Sequence, residues 1–345
     1  MSAITREDDR FIVDSVPELK KLQGKSILIT GASGFIGANL ISSLAFLNDN
    51  YSTHVKIFAL SRNPQKLLST ARHLLNRRDI TIIASDIRMF EFSGRFFDYV
   101  VHAASVSDPK VLTSKSLDVA DTIIDGTRQL LNECVRNKIK HILYISSGAV
   151  YGSQAPDVYK LCENSLSGPD ISSPKSMYGE AKRYAETLCA YYTATFGLSI
   201  VTARPFTFVG PYQDLDAGFA VTQFIRSGLN KEPLVINGDG TVMRSYCYGA
   251  DLVIALWKVL LEGKSSRSYN IGSDIEISII DLARKISFIM GGNLEILVKQ
   301  NPDLTKKPSR YIPDINRIKF ELGFTPQFGL DESLLRTINW FQGDK

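Results

Sequence analysis

Along the first part of this chain, short unbroken apolar runs alternate with longer stretches whose apolar residues recur at helical spacing. Ser26–Thr30, Val55–Leu60, Ile80–Ala84, Tyr99–Ala103, His141–Ser146 and Leu198–Ala203 are short and rich in β-branched residues, the pattern of buried strands. Phe35–Leu47, Ile123–Asn137 and Tyr178–Phe196 lie between them and predict helices. This alternation predicts βαβ units and hence an α/β fold, a Rossmann-type doubly wound parallel sheet with helices on both faces. Ligands of such sheets bind beyond the carboxyl ends of the strands.

After about residue 205 the alternation loosens into turn-rich pieces (Val209–Gly218, Asn237–Gly240, Pro302–Pro313) and short helices such as Ala250–Leu261 and Ile280–Met290. The expected organisation is an N-terminal extension over 1–24 and a sheet domain mainly over 25–205. A smaller, discontinuous α/β substrate-binding lobe, mainly over 206–345, is interleaved with the sheet domain and packed over its strand ends. Within the extension, Phe11–Leu22 leaves two readings open, a short helix on the sheet or a loosely held arm.

The 345 residues suit one large unit or two unequal ones. A net charge of +4 with no dense Lys/Arg run argues against a nucleic-acid partner and suits a small anionic ligand. Cys134, Cys162, Cys189 and Cys247 have neither paired nor metal-ligand spacing, so reduced thiols and no metal site are expected. The opening MSAITREDDRF is charged where a signal peptide needs apolar residues, and no run approaches the ~18 apolar residues of a membrane span. The expectation is a soluble, cytoplasmic protein.

Chemistry enters at the first strand–helix junction, Gly31-Ala32-Ser33-Gly34-Phe35-Ile36-Gly37. In a G-x-x-G-x-x-G turn the first glycine permits the tight turn and the second lets backbone N–H groups approach a pyrophosphate. The third lets strand and helix pack closely, and the helix N-terminus favours negative charge. A dinucleotide is therefore expected over residues 31–37. Asp86, in Ser85-Asp86-Ile87, ends the third strand, where it can bind an adenine amino group; His102-Ala103-Ala104 ends the fourth with room for a cofactor to cross. The second strand ends in Ser61-Arg62 without a carboxylate, which favours NADP(H) over NAD(H) while leaving NAD(H) open.

Tyr178 and Lys182 stand four apart at a helix start and so share one face. A free phenol has a pKa of about 10, and a nearby ammonium favours its phenolate, making Tyr178 a usable acid or base. Ser147, at the end of the fifth strand, is expected to hydrogen-bond the substrate oxygen beside it. Lys182 would also hold the nicotinamide ribose.

These motifs resemble the extended short-chain dehydrogenase/reductase family, in particular its nucleotide-sugar epimerases, dehydratases, decarboxylases and reductases. The resemblance spans roughly residues 24–343 and continues through Arg204–Pro211, Asn237–Asp251, Tyr269–Gly272 and Leu322–Pro326. It implies a nucleoside-diphosphate sugar as substrate, its diphosphate gripped around Thr207, Arg244 and Arg310, and a homodimer formed through the helices Ile123–Asn137 and Tyr178–Phe196. Departures from the family pattern choose among reactions. Gly148 and Ala149 stand where dehydratases carry an acidic pair and decarboxylases one Glu. Ile123, Thr207 and Ser245 replace an Asn, an Asn and an Asp. The expected activity is reduction of an NDP-4-keto-6-deoxyhexose, with NDP-sugar 4-epimerisation on a retained NAD(P)+ as the alternative. A non-catalytic, cofactor-binding sensor is a minor third.

Overall fold

The computed structural model describes residues 2–74, 76–303, 305 and 307–343. Its central sheet has seven strands: β1 Ser26–Thr30, β2 Lys56–Ser61, β3 Ile80–Ala84, β4 Tyr99–His102, β5 His141–Ile145, β6 Ser199–Pro205 and β7 Ser268–Ile271. Their order is β7-β6-β5-β4-β1-β2-β3, and every neighbouring pair is parallel. After β3 the chain recrosses β1 to lay down β4, so successive connections diverge between these two strands. That divergence opens a crevice at their carboxyl ends.

Five helices matter for the site: α1 Ala3–Ser15, α2 Phe35–Tyr51, α3 Ser116–Arg136, α4 Met177–Phe196 and α5 Gly249–Glu262. Alternate strand residues bury on opposite faces. Ile27, Ile29, Ile57, Val101, Leu143 and Val201 pack with α1, α2 and α5. Leu28, Leu60, Val100, Ile142 and Ile200 pack with α3 and α4. Because both faces are covered, the strands read as continuous apolar runs rather than alternating ones.

The six strands expected from the pattern are present, with ends shifted by a residue or two. A seventh strand, β7, lies outside the six expected and buries the polar Asn270. Tertiary partners satisfy that side chain: Tyr151 donates to its Oδ1 at 2.7 Å, and its Nδ2 donates to the Leu161 carbonyl at 2.8 Å.

The N-terminal segment is a packed helix that starts well before Phe11. Ser2 caps α1 by accepting from the Thr5 amide, and Ile4, Ile12, Val13, Val16, Leu19 and Leu22 are buried. Its charges also point inward. Asp8 pairs with Arg336 at 2.7 Å and accepts from Tyr248 at 2.7 Å, while Ser42 donates to Asp9 at 2.6 Å. Burial pushes Asp8 up to about 6.

Beyond β6, the helices Ala220–Leu229 and Ile279–Ile289 enclose a separate cluster around Val221, Phe224, Leu282 and Ile286. A short ribbon joins Met243–Arg244 to Ile277–Ser278 and Arg310–Tyr311, setting Tyr311 opposite Arg244. These pieces wall the far side of a cleft whose near side is the ends of β4, β5 and β6. Among the described residues no helix is long and apolar enough to cross a membrane.

Candidate active site

Close packing dictates the glycine turn after β1. Gly31 has φ +70°, and a Cβ there would lie 2.5 Å from the Ala103 carbonyl oxygen. A Cβ on Gly37 would lie 2.5 Å from the Gly31 oxygen and 2.7 Å from Ala32 Cα. Gly34 caps α2 without a side-chain hydrogen bond, so first-turn amides of this 17-residue helix remain available to an anion.

The groove above the turn encloses about 480 Å³ and is lined by Gly31, Ser33, Gly34, Phe35, Ile36, Gly37, Ser61, Arg62, Ile87, Ala103 and Ala104. Its β4 edge is braced from below. Thr30 Oγ1 accepts from the Ala103 and Ala104 amides at 3.1 Å each and lies 2.8 Å from His102 Nδ1. Burial lowers His102 to about 3, so it is a neutral strut rather than an acid. The uncapped helix end, the glycine cradle and the small Ala103-Ala104 edge together fit a dinucleotide pyrophosphate.

Asp86 does not line the groove, although Ser85 and Ile87 do. Its carboxylate accepts from Arg88 at the amide (2.9 Å) and at two guanidinium nitrogens (3.0 and 2.8 Å), and Arg88 holds its pKa below the usual value. Arg62 reaches Asp86 and Asp118 only at 3.9 Å each.

The groove continues through Ile36, Ala103, Ser105 and Phe208 into a second cleft of about 700 Å³. Ser147, Tyr178 and Lys182 all line this second cleft. Ser147 caps the short turn Gly148–Tyr151 by accepting from the Ala149 amide at 3.1 Å. A Cβ on Gly179 would lie 2.7 Å from the Ala149 oxygen, so this glycine lets the start of α4 rest on that turn. The close approach brings Tyr178 beside Ser147.

Burial raises the Tyr178 phenol, and the facing hydroxyls of Ser147 and Ser105 oppose the shift. Lys182, 3% exposed, donates to the Ile145 carbonyl at 2.7 Å, and its Nζ lies 6.0 Å from the Tyr178 ring centroid. Burial pulls Lys182 down to about 7, against the opposing charge of Glu186. That carboxylate is engaged by Arg204 at 2.6 and 2.9 Å and by Ser146 at 2.5 Å.

Of the residues expected at the substrate, Thr207 and Arg244 line the cleft and Arg310 does not. Arg310 donates to Glu276 at 3.2 Å and stacks over Tyr159 at 5.3 Å. Arg244 is half-buried, donates to the Met243 carbonyl at 2.9 Å and has no carboxylate partner among the described residues. Burial lowers its pKa. A desolvated guanidinium without an acid is costly unless a ligand supplies the anion.

Ser105 and Tyr311 are among the cleft residues that the sequence pattern missed. The signal for Ser105 was its place directly after His102-Ala103-Ala104. Tyr311 carried none beyond lying next to Arg310. No Asp or Glu occurs among the described residues lining this cleft.

The family model described as "NAD dependent epimerase/dehydratase family" matches residues 27–272. UDP-glucuronic acid decarboxylase 6 of Arabidopsis thaliana is 32% identical over 316 residues, covering 89% of this chain and 86% of the relative. UDP-glucuronic acid decarboxylase 1 of Xenopus tropicalis is 30% identical over 339 residues, covering 97% and 77%. Among solved structures, UDP-glucose 4-epimerase of Thermotoga maritima with UDP-glucose superposes with a TM-score of 0.79 at 26% identity, covering 92% of this chain and 98% of that one. UDP-glucuronic acid 4-epimerase of Bacillus cereus with UDP-glucuronic acid and NAD gives 0.80 at 26% identity, covering 92% and 99%.

Proposed function

Because the chain belongs to the NAD dependent epimerase/dehydratase family, we propose that it moves hydride at C4 of a nucleoside-diphosphate hexose without elimination, its net reaction being reduction of an NDP-4-keto-6-deoxyhexose. The charge inventory of the cleft carries this reading: among the described residues its charged lining groups are Lys182 and Arg244, beside three phenols (Tyr178, Tyr246 and Tyr311) and four serines, with no carboxylate. Dehydration across C5 and C6 needs a further group to manage a second proton and the departing hydroxyl, and Gly148 and Ala149 offer none. A glucuronate would bring a second anion to a cleft whose two cations already serve Tyr178 and the diphosphate. An uncharged substituent at C5 fits better.

The bound dinucleotide supplies the hydride; the chain's own residues handle the proton and the alignment. Tyr178 donates its proton to the C4 oxygen, Ser147 donates a hydrogen bond to the same oxygen, and the Lys182 ammonium lowers the cost of the resulting phenolate. Arg244 holds the diphosphate through its fork of donors, aided by Thr207.

For the cofactor we favour NADP(H), because Arg62 at the groove wall makes, among the described residues, only long contacts to Asp86 and Asp118 and can turn to a 2′-phosphate. Arg62→Ala should weaken NADP(H) binding about ten-fold, as lost charge-assisted hydrogen bonds do, and leave NAD(H) nearly unchanged. Titration of cofactor fluorescence measures both, and equal losses would return the preference to NAD(H).

A second reading, 4-epimerisation on a retained cofactor, is favoured by the likeness to a solved UDP-glucose 4-epimerase. The Ser147–Tyr178–Lys182 trio serves both. Adding NADPH and an NDP-4-keto-6-deoxyhexose separates them: consumption of NADPH in proportion to product supports reduction. Interconversion of 4-epimers with no net redox change supports the second reading. Release of carbon dioxide from UDP-glucuronate would overturn both.

A further inference from the structure

Gly148 does more than lack an acid. A Cβ at this position would lie 2.5 Å from the Tyr311 hydroxyl and 2.8 Å from the Phe206 ring. The glycine therefore leaves a space that the Tyr311 phenol fills from across the cleft. Tyr311 is held there by its strand register opposite Arg244, by its ring packing at 4.6 Å on Phe206 and by the Arg244 guanidinium 5.8 Å over its face. Its hydroxyl lies against the Ser147–Gly148 turn, and burial keeps the phenol protonated well beyond the neutral range, so it can act only as a neutral donor or acceptor.

Ser147 has one proton and two lone pairs. The Ala149 amide takes one lone pair at 3.1 Å. We propose that Tyr311 is a positioning residue for the chemistry at C4, its phenol donating to the second lone pair of Ser147. With both lone pairs occupied, the single proton of Ser147 has one remaining direction, towards Tyr178 and the substrate oxygen. Gly148 and Tyr311 are thus a matched pair that replaces a chemical acid with a fixed, neutral donor. This inference rests on the C4 reading above for its substrate but concerns the placement of the Tyr311 hydroxyl against Gly148, which needs no substrate.

Tyr311→Phe keeps the ring and removes only the hydroxyl. In the cofactor-loaded enzyme, kcat for C4 hydride transfer should fall about ten-fold, the value of one oriented hydrogen bond, with KM changed less than about two-fold. In a Ser147→Ala background the same change should cost nothing further, because Tyr311 acts through Ser147. A full additional loss in that background, or wild-type kcat in the single variant, would overturn the proposal. The second readout needs no substrate: the ultraviolet titration of the Tyr178 phenol, isolated by subtracting Tyr178→Phe. Tyr311→Phe should move that midpoint upward, because Ser147 no longer points its proton at the phenolate, and the shift should vanish with Ser147→Ala. An unmoved midpoint counts against Tyr311. Absence of turnover on every NDP-hexose would count against the function alone.

Discussion

Tyr178→Phe should bind its dinucleotide as the wild type does and turn over about a thousand-fold more slowly or worse, the usual cost of a lost general acid. The groove that fits the dinucleotide is built from the glycine turn, the end of β2 and the β4 edge, and the Tyr178 hydroxyl braces none of these. Cofactor titration combined with single-turnover hydride transfer checks both halves, and unchanged turnover would sink the mechanism.

The pH dependence of the wild type follows from Lys182. With its value pulled to about 7, the ammonium is present below that point and lost above it. Reduction leaves a phenolate on Tyr178 beside this ammonium, so the reductive rate should fall as pH rises through about 7. Lys182→Met should flatten the profile at the slow limb. A wild-type profile flat across neutrality would show that the lysine charge plays no part.

Arg244→Ala should raise KM for the nucleotide sugar about 10- to 100-fold with kcat little changed, the range for charge-assisted hydrogen bonds to phosphate. The same variant should hold or raise the melting temperature of the ligand-free protein. Its guanidinium is desolvated without a carboxylate in the described structure, so removing it relieves a cost that only the bound diphosphate offsets. Arg244→Lys should recover part of the affinity, since an ammonium restores the charge but not the planar fork. A lowered melting temperature together with an unchanged KM would assign Arg244 a structural role instead.

Three later findings were hidden from the chain's pattern for separate reasons. The acidic run Glu7–Asp9 within α1 gives no sign of burial in the sequence, yet Asp8 and Asp9 turn inward because Arg336, Tyr248 and Ser42 await them from distant parts of the chain. β7 carries a buried Asn whose partners, Tyr151, Leu161 and Asp314, come from three other segments. Arg310 and Tyr311 are neighbours in sequence, but a strand sends successive side chains to opposite sides. The arginine goes to Glu276 and the tyrosine to the cleft.

By itself the sequence determined the doubly wound sheet, the glycine turn and the shared helix face of Tyr178 and Lys182. Each is encoded by local periodicity or by residues a fixed distance apart on one element. Only the tertiary structure decided which arginine stands in the cleft, what fills the space above Gly148 and how burial poises Lys182 near neutrality. Those properties depend on contacts between segments far apart in the chain and on desolvation, which the spacing of residues along it does not encode.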